Sequence, residues 1–133
     1  GSVLLFYGEE LDGVMSDEDA FESLVGTELN SHTGSDVQLM EDLDGFDEPA
    51  LLISARRSSS TGEFAGAVYA MRGPWEPGSR SVDDARRLHG SAGANLGYSL
   101  LVHDIDGDGQ EEVLMGAFGV STVYGLPASY FFF

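Results

Sequence analysis

The chain contains no cysteine, which removes both a disulfide framework and thiol chemistry. It contains no lysine either: its six cations are all arginines, set against 23 acidic residues for a net charge of −17. No basic stripe exists to displace counterions from a nucleic acid or to hold anionic lipid heads, so neither is expected as a partner. No apolar run approaches the ~20 residues that cross a bilayer as a helix, so membrane insertion is not expected. No leader-like stretch heads the sequence, and the chain reads as a mature or excised segment, or one that never crosses a membrane. There is a single tryptophan, no Arg-Gly-Asp and no Asn-x-Ser/Thr acceptor. The hydrophobic content is an ordinary 42 % over 133 residues, enough for one domain with a core.

The most informative acidic stretch is Asp104-Ile-Asp-Gly-Asp-Gly-Gln-Glu-Glu112. Asp104, Asp106, Asp108 and Glu112 stand at positions 1, 3, 5 and 9, with Gly107 and Gly109 between them. Alternate carboxylates on a tight, glycine-permitted turn suit a hard divalent cation. Calcium fits best, because it takes six to eight oxygens in flexible geometry, whereas magnesium keeps its waters. The ligands are expected to be Asp104, Asp106, Asp108, the backbone carbonyl of Gln110, and Glu112 closing the cage. Glu111 is expected to face solvent or an ion-bound water. An EF-hand is excluded, because its position 12 needs a bidentate Glu and falls here on Met115. The flanks Tyr98–His103 and Val113–Ala117 are short and apolar and read as strands, so the loop is a strand–calcium–strand turn.

The chain also repeats itself. Gly1-Ser-Val-Leu-Leu-Phe-Tyr-Gly8 matches Gly66-Ala-Val-Tyr-Ala-Met-Arg-Gly73 at an offset of 65. Asp17-Glu-Asp-Ala20 with Leu24-Val-Gly26 matches Val82-Asp-Asp-Ala85 with Leu88-His-Gly90 at an offset near 64. Met40–Gly45 matches Val102–Gly107, and Leu51–Ala55 matches Val113–Ala117, both at 62. These anchors divide the chain into tandem units, residues 1–65 and 66–133. Predicted strands are Val3–Tyr7 and Phe21–Val25, then Val37–Glu41, Leu51–Ser54, Ala67–Arg72 and Ala85–His89. A further set runs Tyr98–His103, Val113–Met115, Ser121–Gly125 as a third strand and Ser129–Phe133 as a fourth. Ser16 and Ser81 each cap a short helical turn. The fold class is all-β, and four-stranded units at this period suggest propeller blades.

The motifs resemble the FG-GAP repeat of the integrin alpha-subunit β-propeller, closest in style to bacterial secreted versions. Leu96-Gly-Tyr-Ser99 stands in the "FG" segment, Asp104–Glu112 in the calcium loop and Gly116-Ala-Phe118 in the "GAP" segment. The resemblance implies four-stranded antiparallel blades, usually seven to a ring, and calcium loops between the first two strands of certain blades. It also implies non-catalytic adhesion or ligand binding at an extracellular or cell-surface location. In the first unit Asp42 and Asp44 keep positions 1 and 3, but Phe46 and Ala50 replace the later carboxylates, so that loop is read as calcium-free or weak. Two blades do not close a ring. Pairing with further blades, as a segment of a larger protein, or self-association is therefore expected.

Rival chemistries find little support. His32, His89 and His103 lack a nucleophile partner, and no Ser sits in a nucleophile elbow, so the chain is not expected to be an enzyme. Trp75, in a proline-rich loop, is the residue most suited to sugar contact if exposed. The expected function is thus a calcium-binding adhesion or protein-recognition scaffold with a protein or glycan ligand. The alternatives are a carbohydrate-binding propeller and a non-catalytic accessory domain of a secreted hydrolase.

Overall fold

The computed structural model describes residues 1–11, 13–43, 48–119 and 128–132. The described residues form ten strands: β1 (Ser2–Leu5), β2 (Glu22–Val25), β3 (Thr33–Met40), β4 (Ala50–Ala55), β5 (Ala67–Arg72), β6 (Gly78–Ser81), β7 (Arg86–His89), β8 (Leu96–His103), β9 (Glu112–Ala117) and β10 (Ala128–Phe132). The described residues contain no α-helix, only three short 3-10 turns, so the all-β expectation holds. The strands form three open sheets, ordered β1-β2-β6, β3-β4-β5-β7 and β10-β9-β8. Pairing is antiparallel throughout except between β2 and β6, which run parallel.

The central sheet is buried on both faces by period-2 alternation. Ile53, Ala55, Ala67, Tyr69 and Met71 pack with Leu24 and Val82 on the side of β1–β2. Leu52, Val68 and Met40 pack with Leu96, Leu100, Val113 and Met115 on the side of β8–β9. Because one strand feeds two cores, β4 reads as a continuous apolar run rather than a clean alternation.

Strand register repeats with the sequence. Val3 faces Leu24 across β1–β2, and Val68 faces Leu88 across β5–β7, which reproduces the offsets of 65 and 64 pair for pair. The hairpins differ by one residue. Met40 and Ala50 close the first, His103 and Glu112 the second, leaving loops 41–49 and 104–111. His103 rather than Val102 therefore corresponds to Met40, a correction to the uniform offset of 62, because the first loop holds one extra residue. Both β3 and β8 carry a register shift near their start, beside Gly34 (φ +85°) and Gly97 (φ +81°). A Cβ there would lie 2.7 Å from Ser2 O and 2.9 Å from Ser54 Cβ, so only glycine lets each strand approach the preceding sheet.

The capped turns form at Asp17–Asp19 and Val82–Asp84. Ser16 donates its N–H (2.8 Å) and its hydroxyl (3.0 Å) to Asp19 Oδ2. The backbone bond, then the hydroxyl bond, holds the Asp19 carboxyl below the usual carboxylate range.

Three expectations change. β6 has no predicted counterpart; it is recruited beside β2 through Glu22, which is fully buried and paired with Arg80. Trp75 is half-buried against the core on the β1–β2 side, with its ring centroid 5.4 Å from the Arg80 guanidinium, so it is less open than its loop composition suggests. β10 pairs directly with β9, where the third strand was expected, rather than standing as a fourth. Ser121–Gly125 lies outside the described residues.

Candidate metal centre

The loop after β8 folds on its own side chains. Asp104 Oδ1 accepts the Gly107 N–H (2.7 Å) and Oδ2 the Gly109 N–H (2.9 Å). Asp106 Oδ1 accepts the Asp108 N–H (3.2 Å), and Asp108 Oδ1 accepts the Gln110 N–H (2.8 Å). These are Asx-type turns, in which a short carboxylate replaces a backbone acceptor. Gly107 (φ +80°) and Gly109 (φ +93°) supply the left-handed corners; open space surrounds both, so conformation rather than crowding demands glycine.

The result is convergence. Asp104, Asp106 and Asp108 each bring a carboxylate oxygen within 4.8 Å of the other two. Asp104 is half-buried and the other two are exposed. Three like charges at this spacing repel one another, and a bound cation would relieve that repulsion. The all-oxygen donor set fits a hard cation, and among the described residues no other group of three acidic or histidine side chains is so arranged.

Glu112 stands apart from the three. It is buried at the start of β9, and its Oε2 accepts the Ile105 N–H at 2.7 Å, which ties the two ends of the loop together. Glu111 does not face solvent as expected: its Oε2 accepts the Glu41 N–H at 2.7 Å, linking this loop to the end of β3. Asp42 is half-buried, and Ala50, which corresponds to Glu112 in the first hairpin, is apolar and fully buried. Asp44 and Phe46 lie outside the described residues. The histidines are scattered: His89 Nδ1 lies 3.0 Å from Ser60 Oγ, His103 closes β8, and His32 is on the surface.

No family model matches the chain, and no curated protein matches it significantly.

The opposite end of the β8–β9 hairpin carries a second cluster that the sequence reading passed over. Arg56 and Arg57 leave β4, Tyr98 lies near the start of β8, and Phe118 follows β9. With His32 and Phe64 they line a cavity of 520 Å³. Its one local signal was the Arg56-Arg57 dipeptide in a chain so poor in cations.

Proposed function

We propose that the chain is a calcium-stabilised segment of an FG-GAP-type β-propeller, acting outside the cell as a non-enzymatic adhesion or protein-recognition scaffold. The observation that carries this reading is the carboxylate cluster of Asp104, Asp106 and Asp108 in the loop of a two-stranded hairpin. Calcium suits that donor set because it accepts many oxygens at relaxed angles. The Gln110 carbonyl and Glu112 Oε1 are the further oxygens assigned to it, while Glu112 Oε2 keeps the Ile105 N–H.

The blade reading is supported by the four-stranded antiparallel sheet β3-β4-β5-β7, by the repeated register, and by the matching bulges beside Gly34 and Gly97. The cation pins the loop between the first two strands of the second unit. Further blades, from a longer chain or another copy, cover the open sheet edges.

Isothermal titration of the chelator-treated chain with calcium and with magnesium tests the site. One calcium per chain is expected, with weaker magnesium uptake and loss of binding in Asp104→Ala/Asp106→Ala. Absence of calcium uptake, or undiminished uptake by the double variant, would refute the reading.

A further inference from the structure

We propose that the cavity at the start of β8 is a binding site for a carboxylate ligand that carries a ring face beside its charge. Its lining joins arginines to aromatic rings, whereas the cavity beside Arg86 and Arg87 is otherwise aliphatic. The chain holds 23 acidic residues and six arginines, yet no Asp or Glu lines this cavity and two arginines do. Among the described residues no carboxylate is paired with Arg56 or Arg57. Both are stacked on rings instead: the Arg56 guanidinium lies 5.2 Å from the Tyr98 centroid and that of Arg57 4.8 Å from Phe64. Stacking fixes the plane of a guanidinium and leaves its N–H edge for a bidentate acceptor.

The other half of the site is aromatic. Tyr98 and Phe118 meet at a tilt of 36° with centroids 5.2 Å apart and remain 50 % and 68 % exposed, which leaves ring surface for a ligand ring. The chain's charge of −17 repels anions at long range, so a bare anion gains little here. A ligand must add contact area to its charge. That selects a ring-bearing acid, such as a uronic acid or an aromatic acid, over a simple inorganic ion.

The cavity is built in advance. His32, Phe64 and Asn95 line it in left-handed conformations, with φ of 59°, 51° and 50°. For a bulky aromatic such as Phe64 this is a costly backbone, kept only where surrounding bonds enforce it. Those bonds are present: the Phe64 N–H donates to Ser59 Oγ (3.0 Å), the Asn95 N–H to Phe64 O (2.9 Å) and the Arg57 N–H to Ser31 O (3.0 Å). The rim is thereby held before any ligand arrives, which lowers the ordering cost of binding. None of these residues belongs to the carboxylate loop, so the inference stands or falls separately from the calcium reading.

Two matched pairs of probes test it, by titration calorimetry or ligand-observed NMR on the full chain. Methyl β-D-glucuronide is compared with methyl β-D-glucoside, and phenylacetate with 2-phenylethanol. At least one acid should bind about tenfold or more tightly than its neutral partner, as a charged hydrogen-bonded group does. Preference for the glucuronide assigns an acidic glycan as the source, and preference for phenylacetate an aromatic acid. Arg56→Gln and Arg57→Gln should each lower that affinity about tenfold, Arg57→Lys should not restore it, and Trp75→Ala should leave it unchanged. The exposed Arg57 guards against misreading a folding defect in Arg56→Gln, since its replacement disturbs no buried atom. Equal binding of acid and neutral partner in both pairs, no saturable binding by either acid, or full affinity in Arg57→Gln would overturn the proposal.

Discussion

The two ends of the β8–β9 hairpin, roughly 20 Å apart for strands of this length, carry opposite chemistry. One end converges Asp104, Asp106 and Asp108; the other gathers Arg56, Arg57, Tyr98 and Phe118. They also differ in how they are made. The acidic end is seven consecutive residues, Asp104–Gln110, bent on their own Asx turns, with only Glu111 and Glu112 reaching outward for support. The basic end draws on five separate stretches of chain, knitted by backbone bonds between loops. A local device of the first kind depends little on the core, whereas an assembled one of the second kind depends on every sheet that brings its parts together.

That contrast can be broken or sharpened by experiment. The largest effect is expected from Asp104→Ala, which removes a ligand charge and both acceptors of the Gly107 and Gly109 N–H groups. Calcium affinity should fall about 100-fold or more, while binding of the ring-bearing acid changes less than about twofold; both are read by calorimetry. Next, calcium at 100 times its dissociation constant should stabilise the native chain by about 2.7 kcal/mol in urea unfolding, and a chelator should abolish the gain.

Gly109→Ala comes third. Its φ of +93° strains any Cβ-bearing residue although nothing crowds the site, so a loss of about 1 kcal/mol is expected in the same unfolding assay. Glu111→Gln should cost about 1 kcal/mol or less, because it weakens the bond to the Glu41 N–H without removing the acceptor. If that variant also weakened the basic end, the separation of the two ends would be wrong.

A pH effect marks the core on the β1–β2 side. Burial first, then the charges of Asp83 and Glu28, raises the Tyr69 hydroxyl above its ordinary value. The fold therefore favours the neutral phenol. Its contribution is complete below a pH of about 10 and lost as pH rises through the folded value. Alkaline unfolding followed by circular dichroism should shift to higher pH in Tyr69→Phe.

Much of this was legible in the chain. The repeat anchors placed β5 at its full length and located β1, β2, β3, β4, β7, β8 and β9 to within a few residues of their ends, because period-2 burial against two faces writes itself into local sequence. The capped turns at Ser16 and Ser81 were equally readable, since a cap involves residues only two or three apart. β6 was not, because Gly78-Ser-Arg-Ser81 has no apolar pattern and is held by the long-range pair of Arg80 with Glu22. Trp75 was misjudged for the same reason: its loop composition suggested exposure, while Arg80 and the core on the β1–β2 side half-bury it.

The convergence of Asp104, Asp106 and Asp108 was therefore contained in the order of residues alone, since seven neighbours, two of them glycines, suffice to turn the carboxylates together. The arginine-lined cavity, the burial of Trp75 and the partner of Glu111 belong to the packed molecule. Each joins residues far apart in the chain, and the sheets that unite them form only when their apolar faces leave water together.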